Sequence, residues 1–248
     1  MTASENQLSV FPAFFRVAER VALVYGEGDE AYAKARLLAN TQADIVIAAG
    51  EPEKAFADFI AAKGLRRIAP GEADALMGQA VLVFAATGNE AEDRAIVERA
   101  RALKIPANAV DQPDYCDFFT PALVNRAPVA VAIGTEGAGP VLAQMIRAAV
   151  DQMLSPSLGR LARLAISYRD RVEHTLPKGV SRRVFWRRFF SGPVADAMAL
   201  GNEAAATVEA SRLLEASSAM PGHVWLVGAG PGAEDLLTLR AQRVMMEA

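Results

Sequence analysis

Short apolar runs alternate with helical patterns through the first half of the chain. Val21–Val24, Asp44–Ala48, Arg67–Ala69, Val81–Ala85 and Ala107–Val110 read as five strands. Ala31–Ala39 reads as a helix after the first strand, and Ala91–Leu103, studded with Glu and Arg, as an exposed helix after the fourth. Strands separated by helical patterns need right-handed crossovers, so the pattern predicts a parallel, doubly wound α/β sheet of Rossmann-like type. Pro128–Ile133 reads as a sixth strand extending that sheet. The turn Gly134–Gly139 then leads to Pro140, a residue suited to the first position of a helix. In that helix Val141, Leu142, Met145, Ile146, Ala149, Val150 and Met153 share one stripe, wide enough to pack on the sheet.

From Ser155 the period changes. Leu158, Leu161, Ala165, Tyr168 and Val172 recur at three-and-four spacing, and Pro193–Leu214 is again helical. This all-helical region has too few helices to bury their faces alone, which predicts pairing with a second copy, a homodimer. Ser217–Gly222 is a linker of small residues. Beyond it His223–Val227 is strand-like and precedes Gly228-Ala-Gly-Pro-Gly232 and a helical stretch, too little chain for a domain. The expected organisation is an α/β domain over 1–115, a sheet extension and helix over 116–150, a helical dimerisation region over 151–216, and a linker with the start of a further module over 217–248.

Composition narrows the function classes. The chain has 248 residues, 52% of them hydrophobic, and a formal net charge of −3, so no global field draws it to nucleic acid or an anionic membrane. A single cysteine, Cys116, allows no internal disulfide and favours a reducing, cytoplasmic setting. With two histidines besides, His174 and His223, the chain lacks the roughly four ligands of a His/Cys metal cage, so any metal handled here must be held by carboxylates, hydroxyls or the substrate itself. No run reaches the roughly twenty apolar residues of a membrane span. Met1–Val10 lacks the basic start and apolar run of a signal peptide.

Gly26-Glu-Gly28-Asp-Glu-Ala31 fits G-x-G-x-x-A between a strand and a helix, the arrangement that brings a pyrophosphate against backbone amides at a helix N-terminus. Glu27, Asp29 and Glu30 place negative charge where that pyrophosphate would sit. The acidic ribose ligand expected about twenty residues on is not at the tip of the second strand, and the nearest candidate is Glu51, after Gly50. Tyr25, Tyr32, Tyr115 and Tyr168 have no Lys four residues on, which excludes the short-chain dehydrogenase arrangement. Asp111, at the end of the fifth strand, is either a turn aspartate ahead of Pro113 or a partly desolvated general base, and Asp114 and Asp117 stand close enough to share either role. His174, in a basic helical stretch, reads as a surface or dimer-contact residue, and Cys116 lacks the electropositive setting of a nucleophile. Residues 155–190 carry nine Lys/Arg against two Asp/Glu, with Arg182-Arg-Val-Phe-Trp-Arg-Arg-Phe-Phe190 among them. That stretch is a helix with a buried aromatic face, a single-strand nucleic-acid surface, or an attractor of substrate carboxylates.

In order along the chain, several of these motifs resemble the sirohaem synthases. They are Phe11-Pro, Gly26-x-Gly-Asp-x-Ala-x-x-Lys-Ala-Arg-Leu-Leu38, Ala85-Ala-Thr87, Asn108-x-Val-Asp111, Pro140-Val-Leu-Ala143, Arg182-Arg-x-Phe-Trp-x-x-Phe-Phe190, and Val227-Gly-Ala-Gly-Pro-Gly232 with Leu236-Leu-Thr-Leu239. The resemblance implies NAD-dependent oxidation of precorrin-2 to sirohydrochlorin, then insertion of Fe²⁺ as a substrate, with Asp111 serving both steps. It implies NAD contacts at Gly26, Gly28, Asp29, Glu30, Gly50, Glu51 and Thr87, and a substrate contact at Thr135, where other members carry a serine. It also implies a partial S-adenosylmethionine site at Gly228, Gly230, Pro231 and Gly232, from a methyltransferase module whose catalytic residues would lie beyond Ala248, so that methylation is not expected of this chain. The family usually has three glycines where this chain has Gly26-Glu27-Gly28, and a glycine where it has Glu136. The alternatives are a non-catalytic NAD- or tetrapyrrole-binding protein, and a helical nucleic-acid-binding module on a structural α/β domain. The balanced net charge and the lack of a nucleic-acid motif count against the second of these, and no nucleic-acid or membrane partner is expected.

Overall fold

The computed structural model describes residues 7–218, 226–228 and 237–247. The chain divides into two compact units. One runs to Ala122 and takes in Ile133–Ala143; the other holds Leu123–Ala132 and the chain from Gln144 onward.

The first unit is a five-stranded parallel sheet in the order β3-β2-β1-β4-β5. Its strands are β1 (Val21–Tyr25), β2 (Asp44–Ala48), β3 (Arg66–Ile68), β4 (Ala80–Ala85) and β5 (Ala107–Ala109). Helices α1 (Asp29–Leu38), α2 (Lys54–Lys63), α3 (Pro70–Met77) and α4 (Glu90–Ala102) make the crossovers. The central strands are apolar almost without interruption because helices cover both faces. On one face Ala22, Val24, Ile45, Ile47 and Phe84 pack with Ala31, Ala35 and Leu38 of α1 and Phe56 and Ile60 of α2. On the other, Leu23, Tyr25, Val46 and Val83 pack with Ala73 and Met77 of α3 and Ile96, Val97 and Ala100 of α4. Alternate residues of one strand thus feed two cores. Asn89 starts α4 by accepting hydrogen bonds from the amides of Ala91 and Glu92.

The expected sheet extension is corrected. The strand read at Pro128–Ile133 is β7 (Val129–Ile133), and it pairs with β6 (Ala122–Arg126) in a separate two-stranded sheet. The outer edge of β5 is closed by the chain itself: Asn108 bridges to Cys116, and the Asp117 amide donates to the Ala107 carbonyl at 2.8 Å. A closed edge offers no row of free backbone groups to a sixth strand.

Helix α5 (Pro140–Met153) begins at Pro140 as expected, but its apolar stripe does not pack on the sheet. No residue of α5 is buried, and Val141, Leu142, Met145, Ile146 and Met153 are all exposed.

The second unit is helical: α6 (Leu158–Thr175), α7 (Val180–Ser191), α8 (Pro193–Ala199) and α9 (Glu203–Ser218). The stretch Pro193–Leu214 is two helices rather than one, broken where Gly201 takes φ +77°. These helices do bury a shared core. Leu161, Ala165, Tyr168 and Val172 of α6 meet Phe185 and Phe189 of α7, Val194 and Met198 of α8, and Ala206, Ala210 and Leu214 of α9. Outside it Ile166, Phe190 and Val208 stay exposed. A last helix, α10 (Leu239–Glu247), follows. Among the described residues no helix is long and apolar enough to cross a membrane.

Candidate functional site

In an open parallel sheet a ligand crevice opens where the strand order reverses, outside the carboxyl ends of the strands. Here that point lies between β1 and β4. Gly26 continues β1 with its amide on the Ala48 carbonyl at 3.1 Å, and turns with φ +125°. A Cβ there would stand 1.9 Å from the Ala86 carbonyl oxygen, so only glycine lets the turn pass β4. Gly28, the residue before α1, faces open space and supplies no side-chain cap. The first amides of α1 are therefore left to an outside acceptor such as a phosphate. These features fit a dinucleotide.

The charge expected to obstruct that phosphate lies elsewhere. The Glu27 side chain reaches across to the loop after β2, where its Oε2 accepts from the Glu51 amide at 3.0 Å. The Glu27 carbonyl accepts from the Glu53 amide at 3.2 Å. Arg67 of β3 donates to the Gly50 carbonyl at 2.9 Å and ties the same loop to the next strand. Asp29 and Glu30 do occupy the first turn of α1.

Asp111 stands just past β5 with φ +57°. Aspartate tolerates this left-handed conformation better than most residues, yet it costs about 1 kcal/mol or more, a cost that concentrates at functional positions. Its side chain is exposed in the single chain, which corrects the expectation of a partly desolvated carboxylate. Glu30 and Lys34, one turn apart on α1, both feel Asp111. Burial first, then Asp111 and Asp93, push the Glu30 carboxyl up. Burial pulls the Lys34 ammonium down, against the opposing pull of Asp111, Cys116 and Glu30. The Lys34 Nζ donates to the Thr120 hydroxyl at 3.4 Å. Reading the residues one by one missed Lys34 and Asp93 as parts of this cluster. The spacing of Glu30 and Lys34, which puts them on one helix face, is the signal that could have found Lys34.

Other expected positions have partners within the chain. Thr87 gives both its amide and its hydroxyl to the buried Asp93, each at 2.9 Å, and so braces the start of α4. Asp117 is held by Arg101 at 2.8 Å and by the Ala107 amide at 3.0 Å, which makes it a structural residue rather than a second base. Cys116 is half-buried with its thiol pKa raised by burial, and it donates toward the Ala109 carbonyl, so it is no nucleophile. Thr135 is half-buried in the turn after β7; the adjacent Glu136, at φ +47°, accepts from the Ser9 amide and hydroxyl at 3.0 and 2.8 Å. His174 lies exposed near the end of α6. In the basic stretch Phe185 and Phe189 are core, and Arg182 caps the Glu173 and Leu176 carbonyls, which supports the buried-face reading. Gly228 is exposed; Gly230, Pro231 and Gly232, and most of the strand read at His223–Val227, lie outside the described residues. Among the described residues no three His, Cys, Asp or Glu side chains gather as a metal site.

Residues 13–122 match a family described as "Putative NAD(P)-binding", and residues 157–214 one described as "Sirohaem synthase dimerisation region". A "Siroheme synthase" from Methylobacillus flagellatus is 36% identical over 242 residues, 97% of this chain and 52% of that protein. One from Azotobacter vinelandii is 39% identical over 246 residues, again 97% of this chain and 52% of the relative. The chain thus spans about half the length of the curated relatives it matches. A solved structure, "SirC, precorrin-2 dehydrogenase", superposes with TM-score 0.68 at 17% identity, covering 84% of this chain and 98% of that one, a likeness of fold. The resemblance carried by the motifs therefore extends along nearly the whole sequence.

Proposed function

We propose that this chain carries the oxidising and metal-inserting half of a sirohaem synthase: it oxidises precorrin-2 to sirohydrochlorin with NAD⁺ and then inserts Fe²⁺ to give sirohaem. The observation that carries the reading is Asp111, held in a strained turn at the carboxyl end of β5 and electrostatically coupled to Glu30 and Lys34 of the helix that follows the glycine turn.

Gly26, Gly28 and the first amides of α1 would hold the NAD⁺ pyrophosphate, with Gly50 and Glu51 near the adenine ribose. Bound there, NAD⁺ supplies a two-electron acceptor for hydride. The overall oxidation releases one hydride and one proton, and Asp111 accepts that proton. When Fe²⁺ replaces two pyrrole N–H protons, the same carboxylate receives them in turn and passes them to water. Lys34, whose ammonium feels the Asp111 carboxylate, would help to hold that carboxylate in its ionised, proton-accepting form. The macrocycle nitrogens bind the iron, so the reaction needs no protein cage. The exposed Ile166, Phe190 and Val208 and the open stripe of α5 support self-association into a homodimer. The S-adenosylmethionine assignments at Gly228–Gly232 rest on the resemblance alone.

Incubation of the purified chain with precorrin-2 and NAD⁺ should produce NADH, and later addition of Fe²⁺ should produce sirohaem. Asp111→Asn should lose about 10²–10⁴-fold in the oxidation rate and lose chelation as well. Asp111→Gly, which removes the carboxylate and relaxes the backbone, should be equally inactive yet more stable by about 1 kcal/mol. Asp111→Asn with both activities intact would refute the assignment.

A further inference from the structure

Rossmann-type domains receive the two adenine-ribose hydroxyls on an acid at the end of the second strand. In this chain β2 ends Ala48-Ala49-Gly50, with no acid at the tip. We infer that Glu27, reaching over from the glycine turn, is the acceptor for those hydroxyls, and that it sets a preference for NAD⁺ over the 2′-phosphorylated dinucleotide. The inference rests on the function proposed above and assigns one of its binding residues.

Three observations converge. The Glu27 carboxylate is fixed over the β2 tip: Oε2 accepts from the Glu51 amide at 3.0 Å and lies 3.3 Å from where a Cβ on Gly50 would stand. The bare backbone of Gly50 leaves room for it, since a Cβ there would make a tight contact. The position is also rigid, because the Glu27 carbonyl takes the Glu53 amide, so the turn and the loop are joined at two points. A group held this way loses little freedom on binding. Finally, Oε1 has no partner among the described residues, and the side chain is exposed. An ionised carboxylate is an acceptor only, suited to a pair of hydroxyls and unsuited to a phosphate.

The surrounding charge points the same way. Glu51 and Glu53 follow on the same loop and are exposed, so the loop carries acidic residues of its own. Arg67 lies at the same loop, with one of its N–H groups donated to the Gly50 carbonyl. A 2′-phosphate brought against the Glu27 carboxylate would meet a like charge, and the two anions repel.

Calorimetric titration of the full chain with NAD⁺, NADP⁺ and 2′-deoxy-NAD⁺ tests this without any turnover. The wild type should bind NAD⁺ about 100-fold more tightly than NADP⁺, and should lose about tenfold toward 2′-deoxy-NAD⁺. Glu27→Gln should weaken NAD⁺ about tenfold and cut the NAD⁺/NADP⁺ ratio by at least about tenfold, while no longer distinguishing NAD⁺ from the 2′-deoxy compound. Glu27→Gly, which also releases the Glu51 amide, should lower the ratio similarly. If either variant binds NAD⁺ as tightly as the wild type with the ratio unchanged, Glu27 is not the ribose acceptor, and the inference falls alone. A wild type that binds no dinucleotide would overturn the proposed function itself, and the inference with it.

Discussion

The α/β unit and the helical unit spend their irregularities differently. In the α/β unit several lie beyond the carboxyl ends of the strands. Gly26 is wedged under Ala86, Asp111 sits in a left-handed turn, and Glu30 and Lys34 are both shifted by burial. In the helical unit the interior is well filled, with Phe185, Trp186 and Phe189 in mutual ring contact, and the unusual feature is apolar surface left outside. Strain and perturbed charge mark where chemistry happens, whereas an open apolar face marks where another surface docks. By these signs the α/β unit is the candidate for reaction and the helical unit the candidate for association.

Three substitutions would break or sharpen that contrast. The largest effect belongs to Phe185→Ala, which empties a fully buried aromatic site and should cost about 3–5 kcal/mol. If the units are as separable in energy as in architecture, denaturant titration will show the helical unit melting early while NAD⁺ binding by the α/β unit persists. Loss of binding in step with the helices would erase the contrast. Next comes Gly26→Ala, whose Cβ cannot coexist with the Ala86 carbonyl in this turn. The strained turn should cost the α/β unit about 1–3 kcal/mol and abolish measurable NAD⁺ binding by calorimetry, with helix content unchanged in the second unit.

The smallest effect is electrostatic. The Glu30 carboxyl titrates higher in the fold than in the unfolded chain, so the unfolded state releases its proton first. Stability from this group is complete below the ordinary carboxylate pKa and is lost as pH rises through the raised folded value. Thermal unfolding followed across that window should show the wild type losing stability with rising pH relative to Glu30→Gln. Parallel curves would mean that the cluster around Asp111 is electrostatically ordinary.

Much of this was legible in the residues. β1, β2 and β4 announce themselves because strands buried on both faces must be apolar throughout. Gly26 marks a turn that no other residue could make. The sheet extension was misread because hydrophobicity cannot show that Asn108 and Cys116 would close the edge of β5. β6, with Asn125 and Arg126 in its five residues, has too weak a pattern to stand out. The exposed stripe of α5 has the composition of a packed one, since an apolar face does not name what it faces. Glu27 was read correctly as charge and wrongly as position. Its backbone belongs to the phosphate turn, but the side-chain torsions carry the carboxylate to the neighbouring loop. The proposed role of Asp111 came from its family motif, whereas its strained backbone became visible only in three dimensions.

The chain passes from one unit into the other, back, and across again: residues 123–132 belong with the helices, Ile133–Ala143 returns to the α/β unit, and Gln144 onward leaves it once more. Within the helical unit that excursion is anchored by Arg163 on the Ala127 carbonyl at 2.8 Å and by Gly159, whose Cβ would strike the same oxygen at 2.5 Å. A single recombination breakpoint or protease cut therefore cannot separate the two units with both intact. Chimaeras with relatives will have to exchange the stitched segment as a block, and evolution faces the same constraint on shuffling these halves independently.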